Sequence, residues 1–132
     1  MPGGTMILPG SLVSALLLAS NAAALADGAA QRGAAIVASR SQGLCGLCHA
    51  LPGQPAHLQG TLGPPLAGVG SRYSADELRQ HLLTPERFNP ETVMPSYGRT
   101  QGLARVASAL QGRALLAPAQ IDDVVAYLAS LR

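Results

Sequence analysis

Cys45 and Cys48 are the only cysteines in the chain, and His49 follows the second at once, as Cys45-Gly46-Leu47-Cys48-His49. Two thiols separated by two residues, with an imidazole next, form the attachment signal for a c-type haem. The spacing has a physical basis. The thiols add across two adjacent vinyl groups on one edge of the porphyrin, and the next residue is carried under the iron, where its imidazole becomes the proximal ligand. Cys45 and Cys48 are therefore expected as thioethers and His49 as the fifth ligand of one covalent haem c. Two other chemistries draw on the same residues. A thioredoxin-like pair expects a βαβ context, which the sequence lacks. A structural zinc needs four ligands, which Cys45, Cys48, His57 and His81 could supply. A disulfide across two residues is a poor structural staple, because it closes almost no chain entropy.

A metal-bound imidazole needs its second nitrogen held. Gly63-Pro64-Pro65-Leu66 begins 14 residues after His49. A prolyl carbonyl there, that of Pro64, is a natural acceptor for the Nδ1 hydrogen; otherwise the segment is a plain loop. The sixth iron position calls for Met, His or nothing. Beyond Met1 and Met6, Met94 is the only methionine. A lone methionine usually fills a core, but this one sits between Pro90 and Pro95, in a turn rather than on a helix face, and is the expected distal ligand. His57, in a Gly/Pro/Gln loop, and His81, on a helix, are its competitors.

The surrounding chain suits such a group. Among 132 residues there are four aromatics, no Trp, 15 Gly and 10 Pro. That is thin material for a packed core unless something large and apolar is added, and domains this small often rely on such aid. The net charge of +2 comes entirely from arginine and is too scattered for a nucleic-acid footprint. Residues 7–26 are apolar or small and end in Ala24-Leu25-Ala26, an A-x-A cleavage signal. Cleavage after Ala26 divides the chain into a secretory leader, 1–26, and a mature domain, 27–132. No Lys or Arg precedes Arg32. The leader is too short for a spanning helix with proper flanks, so no mature membrane anchor is expected, and export to the periplasm is. Haem attachment outside the cytoplasm agrees with that.

The elements that would position these residues are helical. Ala29, Ala30, Gly33, Ile36 and Val37 recur at helical spacing and predict a helix over 28–40. Residues 50–72 read as loop. Ser74-Ala75-Asp76-Glu77 is a capping box opening a short helix with Leu78, His81 and Leu82, ended at Thr84-Pro85. Residues 84–100 read as loop. Leu103, Val106, Ala107 and Leu110 predict a helix stopped near Gly112. Ile121, Val124, Val125, Leu128 and Leu131 form the clearest stripe, with Pro118 near the first turn and Asp122 and Asp123 expected within it. The fold class is all-α: about four helices with long loops around one covalent haem.

The order Gly33, Cys45-x-x-Cys48-His49, Gly63-Pro64-x-Leu66, Met94-Pro95 and an apolar C-terminal helix with Tyr127 resembles class I cytochromes c. That resemblance implies that the first and last helices cross, with Gly33 against Tyr127. Within that class, residues 33–131 are similar to the SoxX family, through Gly63-Pro64-Pro65-Leu66-Ala67-Gly68-Val69, Arg87-Phe88-Asn89-Pro90-Glu91-Thr92-Val93-Met94-Pro95-Ser96-Tyr97 and Gly102-Leu103-Ala104-Arg105-Val106. The resemblance implies a monohaem subunit paired as a heterodimer with a SoxA-like haem subunit. The pair would form an L-cysteine S-thiosulfotransferase that oxidatively couples thiosulfate to a cysteine of a SoxYZ-like carrier protein. This chain would not be catalytic alone; it would accept the electrons and relay them to a small cytochrome c. The alternative is a free-standing periplasmic electron shuttle. Two departures from the family pattern stand out: Gly98 after Tyr97, expected to loosen the methionine loop, and Ala117 where Ser or Thr usually caps the last helix, leaving Gln120 as half a capping box.

Overall fold

A computed structural model describes residues 11–132, with side chains from Ala24 onward. The expected leader therefore lies partly outside the described residues. Four α-helices lie among the described residues: α1 Ser11–Ala38, α2 Val69–Arg72, α3 Ala75–Leu83 and α4 Pro118–Ser130. Single 3-10 turns lie at Cys45–Leu47, Ala56–Leu58, Pro85–Arg87 and Ser108–Leu110. No strand occurs among the described residues, and no helix among them is long and apolar enough to cross a membrane.

The frame is the crossing of α1 and α4, and Gly33 makes it possible. A Cβ at Gly33 would lie 1.9 Å from the carbonyl oxygen of Asp123 and 2.9 Å from Cβ of Tyr127, so only a bare backbone lets the helices approach this closely. Ile36 and Val37 from α1 meet Val124, Val125 and Leu128 from α4 in one buried cluster. Beside the crossing, the Arg32 guanidinium donates twice to the Asp123 carboxylate, at 2.8 and 2.7 Å.

Helix α3 adds Leu78 and Leu82 to the same core. Its start is the expected box: the Ser74 hydroxyl accepts from the Glu77 amide at 3.3 Å, and the Glu77 carboxylate accepts from the Ser74 amide at 2.8 Å. The backbone leaves the helix at Thr84, ahead of Pro85. Short α2 abuts the end of α4. Gly70 donates its amide to the Leu131 carbonyl at 2.8 Å, and a Cβ there would strike the Ala129 carbonyl at 2.3 Å.

Four expectations need correction. Helix α1 begins well before residue 28 and runs without a break past Ala26. Residues 50–72 are not all loop, since they contain α2. The helix expected over 103–112 is absent: only Ser108–Leu110 turns, and Leu103 and Leu110 are about half exposed. Gly102 (φ 71°) and Arg105 (φ 58°) hold left-handed backbone within that stretch, which no right-handed helix can pass through. Leu103 and Val106 therefore never come to share a helical face. Finally, Pro118 occupies the first position of α4, so Asp122 and Asp123 fall beyond its first turn, and Asp123 serves the pairing with Arg32.

A candidate haem site

The Cys45–His49 segment follows α1 through a tight reversal. Leu44 takes a left-handed conformation (φ 59°), and a Cβ at Gly43 would strike the Ile36 carbonyl at 2.3 Å. The motif then forms one helical turn: the Cys48 and His49 amides both donate to the Cys45 carbonyl, at 3.1 and 2.8 Å. Side chains three and four positions apart share one face of such a turn, so Cys45, Cys48 and His49 project together. Neither cysteine is disulfide-bonded. Burial pushes the Cys45 thiol up from its ordinary value, keeping it an uncharged thiol.

The chain between 60 and 66 lies directly along this turn. The amides of Gly60, Gly63 and Leu66 donate to the carbonyls of Gly46, Cys48 and Ala50, at 2.9, 2.8 and 3.0 Å. Two of these residues must be glycine. A Cβ at Gly60 would come within 2.2 Å of the Leu47 carbonyl oxygen, and one at Gly63 within 2.4 Å of His49 Cε1. The imidazole thus packs flat on bare backbone, and its Nδ1 lies 2.7 Å from the Pro64 carbonyl oxygen. That oxygen can only accept, so Nδ1 carries a proton, and in the neutral ring that a metal requires the free lone pair is on Nε2.

Met94 sits on a separate loop built from local bonds. The Asn89 side chain accepts from the Glu91 amide at 3.1 Å, the Asn89 carbonyl accepts from Thr92 at 3.0 Å, and the Thr92 hydroxyl accepts from the Met94 amide at 3.1 Å. Met94 packs half-buried against the core. With Pro95, Leu103 and Leu115 on one hand and Glu86, Arg99 and Arg113 on the other, it lines a cleft of about 450 Å³ with mixed apolar and charged walls. The donor set fits a covalent haem: two thiols on one face, an oriented imidazole, and a lone thioether packed half-buried against the core.

The contacts bring Cys45, Cys48, His49 and Pro64 together directly. Met94 is joined to them through a residue to which the sequence reading gave no role. Tyr97, 4% exposed, donates its hydroxyl to the Gly43 carbonyl at 2.6 Å, and its oxygen lies 3.9 Å from Cys45 Sγ. Burial pushes this phenol well above its ordinary value, so it stays protonated. Gly60 was likewise overlooked. Its signal was faint, one glycine among many in a loop. Tyr97 is one of four aromatics and closes the Arg87–Tyr97 segment, but nothing in that segment names a partner for its hydroxyl.

The competing histidines lie elsewhere. His57 is exposed. His81 stacks on Phe88, with ring centroids 3.7 Å apart, and meets Tyr73 edge-on at 4.9 Å. Burial lowers its pKa from the ordinary histidine value. Among the described residues, no three His, Cys, Asp or Glu side chains gather as a metal site, so the zinc alternative has no geometry behind it. Gly98 does not leave a gap: a Cβ there would meet Leu83 Cδ2 at 2.8 Å, so that leucine already fills the space.

A family model described as cytochrome c matches residues 30–132. Among solved structures, the chain is similar to one in the crystal structure of SoxXA from P. pantotrophus. The two share 30% identity, the match covers 76% of this chain and 80% of that one, and the TM-score is 0.67. No curated protein matches the sequence.

Proposed function

We propose, for a chain that belongs to the cytochrome c family and is a SoxX-like monohaem cytochrome carrying one covalent haem c, that it is the electron-accepting subunit of a periplasmic sulfur-oxidising complex. The observation that carries this reading is the likeness to a SoxXA chain over most of both lengths. In this reading the partner is a SoxA-like haem subunit, and the pair couples thiosulfate to the cysteine of a SoxYZ-like carrier. The coupling joins a carrier thiol to the outer sulfur of thiosulfate, forming one S–S bond and releasing one proton and two electrons.

The bound haem supplies a single one-electron site. The chain's own residues hold and tune it. Cys45 and Cys48 would anchor the group, Pro64 keeps the proton on Nδ1 of His49, and His49 Nε2 and Met94 would be the ligands that hold its iron. His/Met ligation raises the potential relative to two nitrogen ligands, which suits an acceptor of electrons from sulfur. In this reading the substrate site and the second electron's first acceptor belong to the partner.

The test is reconstitution. Carrier, thiosulfate and a small cytochrome acceptor are combined with this chain alone, with the SoxA-like subunit alone, and with both. Only the pair is expected to reduce the acceptor at full rate. Full rate from this chain alone, or no loss on omitting it, overturns the proposal and leaves a free-standing shuttle. Mass spectrometry of the exported protein is expected to show cleavage after Ala26 and one haem adduct.

A further inference from the structure

Tyr97 touches three separate parts of the fold. Its hydroxyl reaches the haem-attachment turn at Gly43, 2.6 Å away. Its amide donates to the Leu82 carbonyl at the end of α3 at 2.9 Å, and its carbonyl accepts from the Leu116 amide at 3.1 Å, just ahead of α4. The neighbouring Ser96 hydroxyl donates to the Leu83 carbonyl. Met94 lies three residues upstream, and three extended residues span at most about 11 Å, so wherever Tyr97 is pinned the methionine is confined. We propose that Tyr97 is a positioning residue: its hydroxyl bond to Gly43 ties the methionine loop to the Cys45 end of the attachment turn, and so sets how firmly Met94 holds the iron.

This inference rests on the reading of Cys45 as an attachment point and Met94 as the distal ligand. A thioether sulfur is a weak, neutral ligand, and its retention depends on how rarely its loop opens. Among the described residues, the side-chain hydrogen bonds between that loop and the attachment turn all run through the Tyr97 hydroxyl. It is also an internal bond, with the ring 4% exposed, so water does not readily replace it. Once Cys45 is a thioether it carries no proton. The phenol is then the sole donor of the pair, and its hydrogen is committed to Gly43.

The experiment uses holo protein with Tyr97→Phe, which keeps the ring and removes the hydroxyl. Imidazole binding to the oxidised form reads the opening of the methionine loop. It is expected to tighten about three- to tenfold, the shift that losing one internal hydrogen bond gives. The Met-to-iron charge-transfer band is expected to fade at a lower denaturant concentration than global unfolding, and the reduction potential to fall. Tyr127→Phe, on the far helix crossing, is expected to change none of these. If Tyr97→Phe lowers global stability while imidazole affinity and potential stay put, the residue is merely structural and the inference is overturned. Met94→Ala run alongside separates the two failures. If it leaves band and potential intact, the ligand reading falls and takes this inference with it; if it abolishes the band while Tyr97→Phe changes nothing, only this inference falls. Should Tyr97→Phe not accumulate with haem, 3-fluorotyrosine placed at the same position, a stronger donor of nearly equal size, is expected to weaken imidazole binding, and an unchanged affinity overturns the proposal.

Discussion

A carbonyl accepts and cannot donate, and that fact fixes the tautomer of the neutral ring on which the haem reading turns. With His49 Nδ1 at 2.7 Å from the Pro64 oxygen, the free lone pair is on Nε2. The glycine at position 63 lets this happen, since any Cβ would collide with the ring. The other candidate ligand is Met94, and its rivals are poorly placed: His57 is in solvent and His81 is taken up in a stack with Phe88. Met94→Ala is therefore expected to abolish the weak Met-to-iron band of the oxidised spectrum and to lower the potential. His81→Ala is expected to leave both unchanged. The reverse pattern in optical and potentiometric titrations would reassign the ligand.

At the scale of elements, the two shortest-range signals have different outcomes. The Ser74–Glu77 box is complete, whereas α4 begins on Ala117 in extended backbone (φ −67°, ψ 156°), with only the return bond from its amide to Gln120 Oε1, at 2.9 Å. Ala117→Ser supplies the missing acceptor for the Gln120 amide and is expected to raise stability by about 1 kcal/mol in denaturant melts of holo protein. The helices also carry an acid sensitivity with a definite sign. Bonds from the Ser74 amide and hydroxyl hold Glu77 below the ordinary carboxylate range, and the Arg32 guanidinium does the same for Asp123. Groups with lowered folded-state pKa values stabilise fully above their unfolded values, and that stabilisation is lost as pH falls through the folded ones. The acid limb of stability against pH is expected to be shallower in Glu77→Gln and Asp123→Asn than in the parent, and an unchanged slope would show the two carboxylates to be uninvolved.

At the scale of the whole molecule, charge is distributed unevenly. No Asp, Glu, Lys or Arg occurs between Arg40 and Arg72, the stretch that carries the attachment turn and the segment laid along it. Leu47, Leu58 and Leu62 of this stretch are 46, 48 and 77% exposed. A partner held through such a face gains little from long-range attraction and loses little to screening. In the proposed complex with a SoxA-like subunit, co-purification is expected to survive a rise from low to high salt, while Leu62→Asp weakens it. Dissociation by salt alone would place the contact on a charged face instead.

The sequence by itself determined what is local or covalent. The haem motif is legible because two thiols and an imidazole must be adjacent to meet one porphyrin edge. The α3 cap is legible because a box closes within four residues. The α4 stripe and Gly33 are legible because a helix repeats its face. What tertiary structure decided has no such short period. The stretch over 103–112 has a helical pattern of apolar residues, yet left-handed backbone at Gly102 and Arg105 breaks it, and pattern says nothing of φ. Residues 69–72 become a helix by docking on the end of α4. Gly60 and Tyr97 acquire their roles only when segments distant in the chain come within a few ångströms: the glycine because another backbone passes over it, the tyrosine because its hydroxyl finds a carbonyl 54 residues away. Such partners are chosen by packing, and no spacing within one segment records them.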